Sequence, residues 1–277
     1  MAFLLEPLTY LFFQRALLAS LLTGALCGLI GVYIVLRRMS YIGHGLSHAV
    51  FGGAVVSYFL QLNFYLGAGL WGIASALLIN QVAQRRQVGA DAAIGIVTTA
   101  SFAIGVAVIS RQRRFTRNFE AALFGNVLGI TPADLWMIGG VTVAAVIGIL
   151  LLYKPLLFST FDEETAEVYG VPTHWVNAVF AVLLAAVILV GMQVMGVTLI
   201  AAALVIPASA ARLLTHRFGR LLWLSSLLGA AMSILGMYAS YYLDMASGAT
   251  IVLVGAGMFL IAWLLSLEGR RGRHSAP

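Results

Sequence analysis

Residues 17–36 read LLASLLTGALCGLIGVYIVL, twenty consecutive positions without Asp, Glu, Lys or Arg. A helix needs about 20 apolar residues to cross about 30 Å of hydrocarbon, so this stretch alone predicts a transmembrane helix. Outward from it, further charge-free stretches cover residues 40–84, 92–110, 135–153, 169–211, 221–243 and 245–267. The 40–84 stretch is long enough for two spans with a turn near Gln61-Leu62-Asn63, and 169–211 for two that divide between Gln193 and Gly196. The expectation is about nine crossings, or eight if 196–211 is re-entrant or broken at Pro207, which lacks a backbone donor. The fold class is an all-α, polytopic membrane helix bundle. It forms one domain over residues 1–277, with a core at 17–267 and a short basic tail at 268–277.

Composition agrees. The chain is 61% hydrophobic and 9% charged, against about 45–50% and about 25% in soluble domains. With a mean hydropathy of +0.99, it requires lipid as solvent, which excludes a soluble enzyme, a secreted disulfide scaffold and a disordered tail. Cys27 is the sole cysteine, so no disulfide forms within the chain. Residues 1–14 carry no basic run ahead of the first apolar stretch, so no cleaved signal peptide is expected.

The net charge of +6 would suggest nucleic acid in a soluble protein. Here the basic residues lie between apolar runs, which points to orientation in a membrane and to no nucleic-acid partner. If the spans alternate, Arg37, Arg38, Arg85, Arg86, Lys154, Arg212, Arg217, Arg220, Arg270, Arg271 and Arg273 share one side. The positive-inside rule makes that side cytoplasmic, with the N-terminus outside and the C-terminus inside the cell (inner) membrane. Arg111, Arg113, Arg114 and Arg117 fall on the other side, where they could dock an acidic partner. A short interfacial helix is expected over residues 119–129, and an acidic helix start over 161–170 that Gly170 would end.

The expected spans contain no carboxylate, which leaves His44 and His48 as the conspicuous ionisable groups. They lie in Met39-Ser-Tyr-Ile-Gly-His-Gly-Leu-Ser-His-Ala, with Tyr41 and Ser47 as polar neighbours. Burying an ionisable group in a membrane is costly and marks a functional site. The i, i+4 spacing puts both imidazoles on one helical face, a donor pair suited to zinc, iron or copper. Two ligands do not close a tetrahedral site, but a two-fold dimer could supply four. A weak site suits a pathway, because the ion must leave as readily as it enters. His-Glu-x-x-His metalloproteases share this spacing, but Gly45 stands where the general base would be. No P-loop or GxGxxG occurs, so the chain carries no recognised ATPase motif and is expected not to be an enzyme. No permanently bound cofactor is expected.

The stretch from Gly196 to Arg220 contains Pro207, then small residues, then a basic turn with Arg212, His216, Arg217 and Arg220. It reads as a span end whose cytoplasmic helix docks a separate motor subunit. Asp162, Glu163 and Glu164 form a second candidate for that contact.

Four segments in order carry a family likeness: the His44 to Gly53 motif, Ala122-Leu-Phe-Gly-Asn-Val-Leu-Gly-Ile-Thr, Val205-Ile-Pro-Ala-Ser-Ala-Ala-Arg and Ser247-Gly-Ala-Thr-Ile-Val-Leu. Together they resemble the membrane permease of the zinc/manganese/iron ABC importer family. The resemblance implies a homodimer with the cobalamin-importer (type II) helix arrangement. Its partners would be a cytoplasmic ATP-binding cassette ATPase and an extracytoplasmic metal-binding protein. In that family the early motif usually reads Gly-Asp-x-Leu-Ser-His. Here His48 matches the histidine, while His44 replaces the aspartate. An imidazole in place of a carboxylate favours zinc over manganese, so the expected cargo is a divalent transition metal, zinc first and manganese or iron next. A permease for a metal chelate or cofactor, or a secondary transporter, are the alternatives.

Overall fold

A computed structural model describes residues 5–83, 89–111 and 125–274, and among these every regular element is helical. The chain runs through α1 (Leu11–Leu36), α2 (Ile42–Phe59), α3 (Phe64–Ala83), α4 (Ala90–Arg111), α5 (Pro132–Leu151), two short helices α6 (Tyr153–Phe161) and α7 (Glu163–Val168), then α8 (Thr173–Met195), α9 (Ile200–Leu214), α10 (Phe218–Leu243) and α11 (Ser247–His274). Each of the nine expected crossings corresponds to one helix. The two divisions also fall where expected. Gln61, with φ 55°, follows α2, and Gly196, with φ 84°, ends α8.

By length and composition alone, seven of the described helices are long and apolar enough to cross a bilayer. The exceptions are α2 and α9. Two histidines lower the hydropathy of α2, whose 18 residues reach about 27 Å. The 15 residues of α9 reach only about 22 Å. Pro207 lies inside α9 and is buried, and the helix passes through it instead of breaking there. The break is at Gly196, where the positive φ favours a residue without a Cβ.

The core is organised around α1, which packs on α8, α9 and α10. A Cβ on Gly28 would stand 2.3 Å from the Ser225 carbonyl oxygen of α10, and one on Gly31 would stand 1.9 Å from the Leu204 carbonyl oxygen of α9. Small residues let helix backbones meet in this way where lipid offers no hydrophobic drive between helices. Ser225 Oγ donates to the Gly28 carbonyl at 2.6 Å, and Ser226 Oγ to Ala25 at 2.9 Å.

The acidic segment at 161–170 folds as expected. Asp162 caps α7 by accepting from Thr165 N–H at 2.9 Å. Gly170, with φ 80°, ends it, and the Gly170 and Val171 amides return to Glu167 and Ala166. The helix expected over 119–129 lies mostly outside the described residues. Its last part is a single 3-10 turn, Val127–Gly129.

Gly31→Ala forces α1 and α9 apart against a backbone atom that cannot move aside. Overpacking of this kind costs about 1–3 kcal/mol, so the purified variant should melt several degrees below wild type. An unchanged melting temperature would show that the α1–α9 contact is looser than described.

Candidate functional site

The same close packing builds the histidine site. Helix α2 lies between α3 and α4, and a Cβ on Gly52 would stand 2.2 Å from the Ser101 carbonyl oxygen of α4. With the backbones this near, the face of α2 that carries Tyr41, His44 and His48 meets the face of α4 that carries Gly95, Thr98, Thr99 and Phe102. These residues and Gly45 line a cavity of about 250 Å³. The two imidazole centroids are 4.6 Å apart with planes at 77°. His48 meets Phe102 edge-on at 5.0 Å, and Tyr41 stands 5.5 Å from His44.

His48 Nδ1 is buried and has no hydrogen-bond partner. Such a nitrogen is a lone pair or an N–H that folding has left available. Thr98 Oγ1 donates to the Ile94 carbonyl at 2.7 Å, which leaves its oxygen lone pairs free to accept or ligate. Among the described residues no group of three or more His, Cys, Asp or Glu could hold a metal. The cavity therefore offers two imidazoles and several hydroxyls, a set that can bind a soft or borderline cation weakly.

Ser47 does not line this cavity. It is fully buried, and its single hydroxyl proton is shared between the His44 and Val197 carbonyl oxygens, each 2.8 Å away. It fastens α2 to the link between α8 and α9.

The two candidate coupling segments come together at one end of the bundle. Arg212, His216, Arg217 and Arg220 are exposed from the last turn of α9 to the first of α10, and Asp162, Glu163 and Glu164 are exposed at the start of α7. Phe218 joins them, with its ring 6.2 Å from Phe161 and 5.7 Å from both Tyr153 and Tyr33. Glu163 Oε1 also accepts from Asn177 Nδ2 of α8 at 2.6 Å. At the opposite end, Tyr65 of α3 hydrogen-bonds both Asp134 of α5 and Gln193 of α8, the latter at 3.0 Å.

Residues 9–266 match the ABC 3 transport family. The chain belongs to the ABC 3 transport family. Among relatives of this family, it is 39% identical to the manganese transport system membrane protein MntC of Halalkalibacterium halodurans, over 94% of this chain and 89% of that one. It is 40% identical to the MntC of Listeria monocytogenes, over 96% and 95%. The solved structure of PsaBC from Streptococcus pneumoniae in complex with Fab superposes with a TM-score of 0.84 at 34% identity, covering 94% of each chain. The multi-pass helical bundle is thus the ABC 3 fold.

Sequence reasoning found His44, His48 and Tyr41 but missed the α4 wall. The Thr98-Thr99 pair was its signal, two hydroxyls side by side in an otherwise apolar stretch. The Tyr65, Asp134 and Gln193 cluster was also missed, because its members are scattered over three helices.

The Asp162 carboxyl is held below the usual aspartate range by hydrogen bonds from the Thr165 hydroxyl and then the Thr165 amide. A depressed folded-state pKa means the cap contributes fully above the ordinary aspartate value of about 3.9 and is lost as pH falls through the lower folded value. Hydrogen-exchange protection across α7 should therefore hold from neutral pH to about pH 5 and fail in stronger acid. In Asp162→Asn it should not depend on acid. Loss of protection already near pH 6 in wild type would contradict the cap.

Proposed function

We propose that this chain is the membrane permease of an ATP-driven ABC importer for a divalent transition metal ion, and that the ion passes between His44 and His48. The observation that carries this reading is the imidazole pair at 4.6 Å on the wall of a small, half-open cavity between α2 and α4. Relatives named as manganese transport proteins support the class of cargo. The cavity of about 250 Å³ is smaller than the ~300–1,000 Å³ of typical small-molecule pockets, which favours a bare ion over a chelate.

On donor chemistry we place zinc first, since imidazole suits zinc while carboxylate and water suit manganese, and the lining holds no carboxylate. Manganese is the second reading, favoured by the names of the relatives. Two imidazoles leave the coordination open, so a second copy of the chain is proposed to approach this site in a homodimer.

The face formed by α7 and the α9–α10 turn is proposed to dock the ATPase, with Arg212, His216, Arg217 and Arg220 beside Asp162, Glu163 and Glu164. Pro207 lies buried within the short helix that leads there. That face would be cytoplasmic, placing the N-terminus outside. A metal-binding protein would deliver the ion at the opposite end, where Tyr65, Asp134 and Gln193 join three helices.

Proteoliposomes containing the permease, its ATPase and its binding protein should take up zinc with ATP, in competition with manganese and iron. Losing even a second-shell partner of a metal ligand costs about 10–100-fold, so His44→Ala and His48→Ala should each lower uptake at least about tenfold. Normal uptake in both variants would remove the histidines from the path. Manganese entering in preference to zinc would overturn the order of cargo.

Replacing Arg212, Arg217 and Arg220 together by alanine should abolish ATPase stimulation by the loaded binding protein. Normal stimulation and uptake in that variant would remove the docking assignment.

A further inference from the structure

Arg37 is the C-cap of α1, and every nitrogen of its guanidinium is engaged. Nε donates to Thr160 Oγ1 at 3.0 Å and Nη2 to Ser159 Oγ at 3.0 Å, both on α6, while Nη1 donates to Asn177 Oδ1 of α8 at 2.8 Å. The guanidinium carbon lies 4.8 Å from the centroid of the Phe180 ring. Asn177 is spent at both ends, because its Nδ2 donates to Glu163 Oε1 at 2.6 Å. One side chain therefore holds the end of α1, the end of α6 and the first turns of α8, and reaches the first residue of α7 through a single amide. A planar fork of fixed geometry suits this task, whereas an ammonium point charge does not.

On its other side Arg37 leads directly to the histidines. The turn after it is tightly fixed. Arg38 takes φ 57°, its amide returns to Val35 and the Met39 amide to Ile34, and Ile42 N–H then bonds the Met39 carbonyl at 2.9 Å to begin α2. Arg38 occupies a left-handed cap position that ordinarily favours glycine, so the turn is over-determined by its surroundings. His44 follows seven residues after Arg37. No flexible segment separates the guanidinium network from the metal-facing helix.

We infer that Arg37 is a positioning residue that transmits movement of the α6–α7 hairpin to the His44/His48 helix, so that events at the ATPase-facing end change access to the cavity. This inference rests on the proposed transport function and on the docking of the ATPase at that end. Arg37 does not line the histidine cavity. It acts through Thr160, Ser159 and Asn177 on one side and through the α1–α2 turn on the other. A residue that served only as an orientation charge would be equally served by lysine. One that served only to hold the fold would change stability and leave coupling alone.

The test is the number of metal ions moved per ATP hydrolysed in proteoliposomes of the full complex, read beside the thermal stability of the permease. Arg37→Ala and Arg37→Lys should both keep ATPase activity within about twofold of wild type and lower the transport ratio at least tenfold. Asn177→Ala removes one arm and the link to Glu163, and should lower the ratio in the same direction. Thr160→Ser keeps a hydroxyl acceptor for Arg37 Nε and should preserve it. Should Arg37→Ala fail to assemble, Asn177→Ala with Thr160→Ser decides the matter. A wild-type ratio in Arg37→Lys or in Asn177→Ala overturns the inference while leaving the transport function standing. Absence of ATP-dependent metal uptake in wild type overturns both.

Discussion

The contact between the backbone of α1 and those of α9 and α10 governs the placement of everything else. Without water to drive apolar surfaces together, helices in lipid associate through close packing and cross-helix hydrogen bonds. Gly28 and Gly31 meet carbonyl oxygens of the facing helices where a Cβ could not fit, and serine hydroxyls of α10 bond back to α1. Leu204 of α9 is the common point. Its carbonyl faces Gly31, and its side chain lies 2.9 Å from where a Cβ on Gly43 would stand at the start of α2. One residue of the short helix thus packs on both α1 and α2, and a shift of α9 must be felt by the helix that carries the histidines.

The chemistry of the cavity follows from what the packing leaves unpaired. A structural zinc site is closed by four ligands. This one presents two imidazoles with an unpartnered Nδ1 and threonine hydroxyls opposite. Neutral donors leave the charge of a dication largely uncompensated, so affinity is limited, and limited affinity is what passage through a site demands. Ser47 contributes from behind. By tying α2 to the Val197 carbonyl, it fixes the rotation of the helix so that the i, i+4 histidine face stays on the cavity.

The fold was legible because its controlling variable, the length of apolar stretches, is local. The seven charge-free stretches became nine helices, and both divisions fell at the expected residues. The proline of α9 was less legible: it suggested a break at residue 207, yet the helix passes through it. Arg15 made α1 read as beginning at residue 17, yet the helix starts at Leu11, since one charge near a helix end does not interrupt backbone hydrogen bonding. The histidines were visible as ionisable groups in an apolar run. Their α4 wall was not, because pairing Gly52 with Ser101 is a long-range fact that no periodicity encodes.

Arg37 shows where a charge rule and a packing rule diverge. By position it belongs with Arg38 and Arg212 among the residues that orient a chain in the membrane. By environment it is half-buried, hydrogen-bonded through all three nitrogens and stacked on an aromatic ring. A desolvated guanidinium is tolerable only when its donors are matched, and Ser159, Thr160 and Asn177 match them from two other helices. Arg212, Arg217 and Arg220 stay exposed and remain available to face solvent or a partner. The basic residues at this end therefore divide into one that locks the bundle internally and others that present it outward. The link between the two groups is physical, through Phe218, whose ring touches Phe161 beside the hairpin and Tyr33 one turn before Arg37. A partner that displaces the exposed set would press on this aromatic contact before it reached the half-buried arginine.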